Sequence, residues 1–457
     1  MRARATWLSL SILAASACKG GDSTGPSTEG KDVVLSFCAS PPSMVAYQNQ
    51  GDSWTNAPLV NGSASFKAAA KTVVMMTWPP LGGSTTPHVN FFFVSGSELQ
   101  LWGAADRCAL AASPKSLSGS VANVDFDRQR ALVHMGEALK YVLGPLPTFA
   151  ITAVPGGPVD LVATRRASTT ATLSNRLADR VIIRRAVDLP TGSTMPVLDF
   201  DASEALRVAS NMVTISGQGA DDLFMYNNLI TAAMTDASLE EYSFFSFSAP
   251  LISVSSANLV SGDIHQLGVV ANSGTNADYR GALLHYRAAG DKNLSLGAAL
   301  APPRVTVVGT TPFVRLRVQL ASQSDYPDLV QFVYSQTDGG GKFVRVIMTK
   351  GYFGGTPTTW DVSIPDASAV AGFQSSWMLQ TGVATAWDGE AWLVSMPWFF
   401  GGAPADGSTF NFATRSSSIN TAAAGSTPSR SFGGGLVTQP MAMSQAQRVA
   451  QFRSMRP

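Results

Sequence analysis

The chain has 457 residues, with 32 Lys and Arg against 31 Asp and Glu, and only 14% of its residues are charged. A near-neutral chain without a basic stripe suits a nucleic-acid backbone poorly, so we do not expect nucleic acid as a partner. The hydrophobic fraction of 45%, with 41 Gly and 26 Pro, is typical of an all-β protein with many short strands and turns.

Residues 1–17 predict a cleaved export signal. Arg2 and Arg4 make its start positive, a short apolar stretch follows, and Ala15-Ser16-Ala17 ends it with small residues. No later segment reaches about 18 uninterrupted apolar residues, so we expect no transmembrane helix.

The stretch "AASAC" at residues 14–18 resembles the signal of bacterial lipoproteins, in which the cysteine after the cleavage site is acylated. It departs from that pattern at Ala15, where such signals usually carry Leu. The resemblance implies a lipid anchor on Cys18 and a place at the outer membrane or cell surface. Ordinary cleavage after Ala17 is the alternative and predicts a periplasmic or secreted protein. Residues 18–31 are rich in Gly, Ser, Thr and charge, and therefore predict a flexible tether.

Two further cysteines, Cys38 and Cys108, lie near the two ends of the first candidate domain, residues 32–112. In an exported protein an even pair usually forms a disulfide, so we predict a Cys38–Cys108 bridge. Two buried free thiols are the alternative. Short runs such as "KTVVMMTW", "HVNFFFVS" and "ELQLWG" predict strands of a β-sandwich here.

Residues 113–205 predict a second sandwich. "DRQRALVHMGEALKYVLG" has apolar residues at helical spacing, but Gly136 interrupts it and favours two strands. The segment resembles carboxypeptidase regulatory-like domains in Gly119-Ser120-Val121, the strand Ala131-Leu132-Val133, and Phe149-Ala150-Ile151 leading into "VPGG". It lacks the usual Asp-Gly turn before the Phe strand. The resemblance implies a small β-sandwich without catalytic residues; Phe149, Ile151 and Ala153 are expected to share one strand face.

Residues 206–415 predict further strands, arranged as one large sandwich or as two that divide near residue 301. Residues 416–457 are rich in Ser, Ala, Thr and Gly at their start. They predict a disordered tail, with a short helix near its end.

The sharpest binding hypothesis rests on "VATAWDGEAWLV". Asp388-Gly389 predicts a two-residue hairpin turn, which would place Trp387 and Trp392 on one face as diagonal neighbours. Exposed flat aromatics of this kind would stack on sugar rings and bind glycans. Packing of both indoles into the core is the alternative.

Metal and catalytic sites are poorly supported. The four histidines, His88, His134, His265 and His285, lack the spacing of a zinc site. Two acidic runs, at residues 125–127 and 199–204, lack a complete calcium loop. The Gly-Asp-Ser triplets at Ser23 and Ser53 lie in the tether and a turn, where a nucleophile is not held rigidly. We therefore predict no metal and no cofactor.

The sequence thus predicts an exported, membrane-tethered protein of consecutive β-sandwich domains, with a non-catalytic structural, adhesion or binding role. Its expected partners are the membrane, through Cys18, and a polysaccharide or another surface protein. A glycan-binding protein and a glycan-degrading enzyme are the alternatives. The enzyme requires two carboxyl groups placed across a scissile bond, and adjacent pairs such as Asp221-Asp222 and Glu240-Glu241 point to opposite faces of a strand.

Overall fold

The computed structural model describes part of the chain: residues 30–37, 41–80, 85–104, 113–144, 146–167, 177–233, 235–244, 247–272, 278–337, 341–399 and 402–421. The fold is all-β, as the composition predicts, and is built from several mainly antiparallel sheets.

The strands of the first half are β1 Lys31–Ser36, β2 Met44–Asn49, β3 Thr55–Asn56, β4 Leu59–Val60, β5 Ser63–Ala68, β6 Thr72–Trp78, β7 His88–Val94, β8 Lys115–Ala122, β9 Gln129–Met135, β10 Ala138–Val142, β11 Thr148–Val154, β12 Val159–Ala167, β13 Ala178–Val187, β14 Leu198–Asp199 and β15 Leu206–Arg207. Those of the second half are β16 Ala209–Ser216, β17 Asp222–Ile230, β18 Asp236–Phe244, β19 Ser248–Ser253, β20 Ile264–Asn272, β21 Tyr279–Tyr286, β22 Lys292–Ser295, β23 Arg304–Gly309, β24 Arg315–Ala321, β25 Leu329–Gln336, β26 Lys342–Thr349, β27 Thr359–Ser363, β28 Ala384–Leu393 and β29 Thr409–Asn420. The helices are α1 Gly96–Ala104, α2 Lys350–Phe353 and α3 Met396–Phe399, with 3₁₀ turns at Ser256–Asn258 and Ser375–Trp377.

A twelve-stranded sheet connects segments that are far apart in sequence. Its strand order is β18-β17-β20-β21-β29-β28-β25-β26-β7-β6-β2-β3, and only the β26–β7 pair is parallel. Segment 32–112 therefore shares one sheet with segment 206–415. The sheet also continues past residue 415, because β29 extends to Asn420.

The middle of this sheet is covered on both faces. The three-stranded sheet β23-β24-β27 packs on one face through Leu316, Val318 and Trp360. The sheet β1-β5-β4, with α1 and α3, covers part of the other face. Central strands buried on both faces read as nearly continuous apolar runs, which explains "TVVMMTW" in β6 and "VNFFFV" in β7.

The second unit is a sandwich of the sheets β10-β9-β12-β13-β15 and β11-β8-β14. Its β9–β10 hairpin turns at Gly136, which has a φ of 60°, so the strand interpretation of this stretch is confirmed. The shared face of Phe149, Ile151 and Ala153 is wrong beyond Ile151. A bulge there gives Ala153 a φ of 59° and turns Val154 into the core instead.

A third small sheet, β19-β16-β22, packs against strands β17, β20 and β21 of the large sheet and forms a third covering layer. The second unit packs against this region through a separate apolar cluster and a partly buried ionic triad. Arg185 lies between Asp160 and Asp263, with nitrogen–oxygen distances of 2.7 and 2.5 Å. Both carboxylates are buried, so the triad ties β13 to β12 and to the start of β20.

One expected strand, "ELQLWG", is part of helix α1. The reason is a capping box that precedes it. The Ser95 amide donates to the Glu98 carboxylate at 2.9 Å, and Ser95 Oγ accepts the Glu98 amide at 3.3 Å. Leu99 and Trp102 then face the large sheet, so the apolar residues are buried by helical spacing instead of alternation.

Candidate functional site

Cys18, Cys38 and Cys108 lie outside the described residues. The lipid anchor and the disulfide therefore stay predictions. The short helix expected near the C-terminus lies outside them as well. Within the described part of the chain, no helix is long and apolar enough to span a bilayer.

The expected hairpin at Asp388-Gly389 is wrong. Strand β28 runs straight through these residues and pairs with β25 and β29 on either side. Gly389 serves close packing: a side-chain carbon there would lie 2.7 Å from the ring of Phe332 on β25. Five positions apart on one extended strand, Trp387 and Trp392 point to opposite faces. They are only 3% and 7% exposed, so each packs in a different core and they form no common sugar-stacking surface.

The acidic runs are engaged by arginines and turns. Asp201 and Asp179 both pair with Arg165, and Glu204 accepts two hydrogen bonds from Arg184. Among the residues that the structure describes, no three His, Cys, Asp or Glu side chains come together as metal ligands do.

The two carboxylate pairs that are adjacent in sequence, Asp221-Asp222 and Glu240-Glu241, have separate surroundings. Asp221 pairs with Arg280 at 2.9 Å near the rim of the third layer. Glu240 is fully buried, and its Oε1 accepts the Ile252 amide at 2.9 Å. Burial raises the pKa of Glu240 to about 8, so this carboxyl is mostly protonated at neutral pH.

A different group of polar side chains lies together on the large sheet. They share the face that α1, α3 and the β1-β5-β4 layer cover only in part. We call the group the open face and define it as His88, Asn90, Gln331, Phe343, Arg345, Asp388, Glu390 and Ser416.

The strand register sets the neighbours within the open face. Gln331 lies directly opposite Glu390, and Asp388 lies opposite Ser416. Arg345 lies opposite Asn90 across the parallel β26–β7 pair. Strand neighbours of this kind are close enough for side-chain contact, and five strands thus contribute to one surface.

Burial changes across the open face. Gln331, Glu390 and Asn90 are buried beside the covered core, whereas His88, Phe343 and Arg345 are partly exposed and Asp388 is exposed. Polar groups therefore begin where the covering layer ends. The surface has a buried, hydrogen-bonded edge and a solvent-facing edge.

Glu390 is the most perturbed group at this surface. Burial raises its pKa to about 7, although the positive charge of Arg345 opposes that shift. The indole of Trp392 donates to its carboxylate, and Gln331 Nε2 donates to Oε2 at 3.3 Å. Asp388 also has a raised pKa, because neighbouring side chains desolvate its carboxyl even though the residue reaches solvent; the hydroxyl of Ser416 donates to it and opposes the shift.

Arg345 is a cation without an ion-pair partner among the described residues, and its Nε is buried without a hydrogen bond. Desolvation lowers the pKa of Arg345, because burial destabilises the charged form of the guanidinium. The Oδ1 of the neighbouring Asn90 is likewise buried and unpaired. The open face therefore has unused hydrogen-bonding capacity.

An aromatic pair borders the charged groups. The rings of His88 and Phe343 stack with centroids 4.6 Å apart, and the Arg345 guanidinium lies 5.6 Å from the Phe343 ring centre. Desolvation, followed by the charge of Arg345, lowers the pKa of His88, so this imidazole is mainly neutral at pH 7. The border is thus flat and uncharged.

Sequence reasoning missed this surface because its members come from β7, β25, β26, β28 and β29. One local signal was present: Asp388 and Glu390 are two positions apart in "WDGEAW", the spacing of one strand face. Interpreting Asp-Gly as a turn concealed it. No protein-family model matches the chain, and no curated protein is significantly similar to it.

Proposed function

We propose that this protein is an exported, lipid-anchored binding protein whose folded part binds a glycan at the open face. The anchor part of the proposal rests on the sequence: the export signal, the lipoprotein-like "AASAC" and the polar spacer that follows Cys18. The binding part rests on the fold.

The observation that carries the binding role is the open face itself. It combines fixed planar donors and acceptors, namely an amide, a guanidinium and carboxyl groups, with a flat ring pair at its border. Sugars present many hydroxyl groups that donate and accept at once, together with apolar ring faces. Binding sites for such ligands combine a few precisely placed polar groups with aromatic surface.

The sheet holds the side chains of the open face in fixed positions, which supports a role in ligand binding. Every member lies on a hydrogen-bonded strand of the large sheet, and the opposite face of the same strands packs into a large core through Phe332, Val344 and Trp387. A preorganised surface loses little side-chain freedom when a ligand binds.

The anchor is tested by the intact mass of the mature chain from fractionated host cells. We expect a membrane-bound chain that begins at Cys18 and carries acyl groups. A Cys18→Ser variant is expected in the soluble fraction. An unmodified wild-type chain in the soluble fraction would refute the anchor and leave the binding proposal to its own test.

Glycan binding is tested by isothermal titration of the mature chain with a panel of neutral and acidic oligosaccharides. We expect one class to bind, and Asn90→Ala, which removes a buried hydrogen-bonding side chain of the open face, to weaken that binding. Asn258→Ala, at an exposed position in the 3₁₀ turn Ser256–Asn258, is the matched control. If no oligosaccharide binds, or if both variants behave like wild type, the open face is not a glycan site.

Glycan hydrolysis is a second candidate, favoured by one observation. Asp388 and Glu390 lie side by side on one face of β28, and the pKa of Glu390, about 7, suits a general acid. The test is release of reducing ends from any glycan that binds. We expect product with wild type and none with Glu390→Gln; binding without product leaves the non-catalytic role.

A further inference from the structure

The charge balance of the open face points to the kind of ligand. Arg345 carries a positive charge in partly desolvated surroundings and makes no ion pair with any described carboxylate. A cation in such a place is costly unless a negative group accompanies it. No described carboxylate lies within ion-pair distance of Arg345, and the charge of Glu390 only partly opposes the lowering of its pKa by desolvation.

The two carboxyl groups of the open face do not balance Arg345 in full. Glu390 already accepts from Trp392 and Gln331, and its pKa of about 7 leaves it partly neutral at physiological pH. Asp388 makes no ion pair with Arg345, and its carboxyl accepts from the hydroxyl of Ser416. The remaining titratable neighbour, His88, is mainly neutral. Arg345 therefore offers positive charge to a ligand.

The groups around Arg345 fit a ligand that is more than a simple anion. Asn90, its direct neighbour across β26–β7, has a buried carbonyl oxygen without a partner that can accept from a hydroxyl. The solvent-facing parts of the stacked His88 and Phe343 rings, both partly exposed, offer apolar surface to a sugar. A carboxylate, a hydroxyl donor and an apolar ring face occur together in a uronic acid unit.

We propose that the open face binds an acidic glycan through a uronic acid carboxylate that pairs with the guanidinium of Arg345, while a ring hydroxyl donates to Asn90 Oδ1. This inference rests on the proposed glycan-binding function and specifies its ligand class. A charge-assisted pair of this kind is roughly twice as strong as a neutral hydrogen bond and gives directional selectivity.

The pairing also makes binding depend on pH. Glu390, Asp388 and His88 are the titratable groups that face the site beside Arg345. As pH rises through about 7, Glu390 loses its proton and competes with the ligand carboxylate for Arg345. Affinity for an acidic glycan therefore falls between pH 6 and pH 8.5, whereas a neutral glycan shows a weaker dependence.

The test compares oligogalacturonate with the same oligomer after reduction of its carboxyl groups, by titration calorimetry on the mature chain at pH 6 and low salt. We expect the acidic oligomer to bind about tenfold more tightly than the reduced one, as loss of one charge-assisted pair predicts. Arg345→Met is expected to remove that preference, and Arg345→Lys to keep part of it. Arg304→Met, at an exposed position on β23, is the matched control and is expected to retain it.

Each result decides between distinct statements. Equal binding of both oligomers by wild type overturns the acidic ligand class but leaves glycan binding in place. If neither oligomer binds, and no other glycan in the panel binds, the proposed function and this inference are both overturned. An unchanged preference in Arg345→Met refutes the role of Arg345, and thermal melting of both variants separates lost pairing from lost folding. Equally tight binding of a poly-glutamate peptide refutes uronic acid recognition, because it would show that any chain of carboxylates suffices.

Discussion

Glu240 and Glu390 are both buried carboxyls with raised pKa values, yet they lie in regions of opposite character. Glu240 lies inside a closed network between β17, β18, β19 and β21. There Asn227 donates to the Tyr286 hydroxyl at 3.0 Å, and that hydroxyl contacts Ser253 Oγ at 3.1 Å. Glu390 lies at the edge of a covering layer, next to an unpaired cation and to solvent.

The difference shows how burial alone misleads as a sign of function. Desolvation is the largest cause of the raised pKa at both sites. Glu240 is enclosed by the buried side chains of Asn227, Ser253 and Tyr286; Glu240 Oε2 and Asn227 Oδ1 lack hydrogen bonds but lie away from solvent, and the charge of Arg166 opposes the raised pKa. At Glu390 the neighbour is Arg345, whose hydrogen-bonding capacity is left unused. Unused capacity beside solvent, more than a shifted pKa, therefore distinguishes a candidate ligand site from a core polar cluster.

The largest expected effect comes from breaking the closed network. Asn227→Leu removes the donors to the Ile252 carbonyl and to Tyr286, and leaves buried polar groups unpaired. We expect it to lower the free energy of unfolding by about 3 kcal/mol, measured by urea denaturation. Glycan affinity of the folded variant should not change. A loss below about 0.5 kcal/mol would mean that the network is not structural.

The next effect concerns the proton on Glu240. Between pH 4.5 and about 8 the folded chain holds a proton that the unfolded chain has released, so wild-type stability falls as pH rises through this window. Glu240→Gln lacks this proton. Its free energy of unfolding, relative to wild type, should therefore rise from pH 4.5 to pH 8 by up to about 4 kcal/mol. A constant difference across these pH values would contradict the raised pKa.

For Glu390→Gln we also expect the free energy of unfolding, relative to wild type, to rise with pH. The rise covers a narrower pH range than for Glu240→Gln and is smaller. The folded pKa of Glu390, about 7, places the change between pH 4.5 and pH 7, with up to about 3 kcal/mol gained relative to wild type. Unlike Glu240→Gln, Glu390→Gln should also flatten the pH dependence of acidic glycan binding. Glu137→Gln, in an exposed turn, is the control for both measurements. If the two buried variants have identical effects on binding, the distinction between the regions fails.

The smallest effect is expected at the aromatic border. Phe343→Ala removes the ring that stacks on His88 and lies beneath Arg345, so we expect a stability loss of about 1 kcal/mol and a several-fold fall in glycan affinity. Phe247→Ala is the control, since Phe247 is 63% exposed. Equal binding by both variants would remove the ring pair from the proposed site.

Local patterns in the sequence predicted much of the secondary structure. Alternation identified β24, where Leu316 and Val318 are buried and Arg315 and Arg317 are partly exposed. Gly136 identified the β9–β10 turn. The same reasoning missed α1, although Ser95 and Glu98 form a recognisable capping box, because the apolar residues of "ELQLWG" were interpreted by propensity alone. It also missed that β28 continues through Asp388-Gly389. The sequence alone does not distinguish a glycine that accommodates the Phe332 ring from a glycine that forms a turn.

The sequence by itself determined the all-β class, most strand positions and the fact that Asp388 and Glu390 share a side of their strand, because these depend on neighbours a few residues away. Only the tertiary structure decided that Asn90 lies beside Arg345, across 255 residues of chain, and that the covering layer ends before these side chains. Pairing partners and coverage are set by packing among distant segments, here the parallel contact of β7 with β26. The candidate site therefore depends on strand pairing and on the extent of the covering layer, and neither is encoded in a local stretch of sequence.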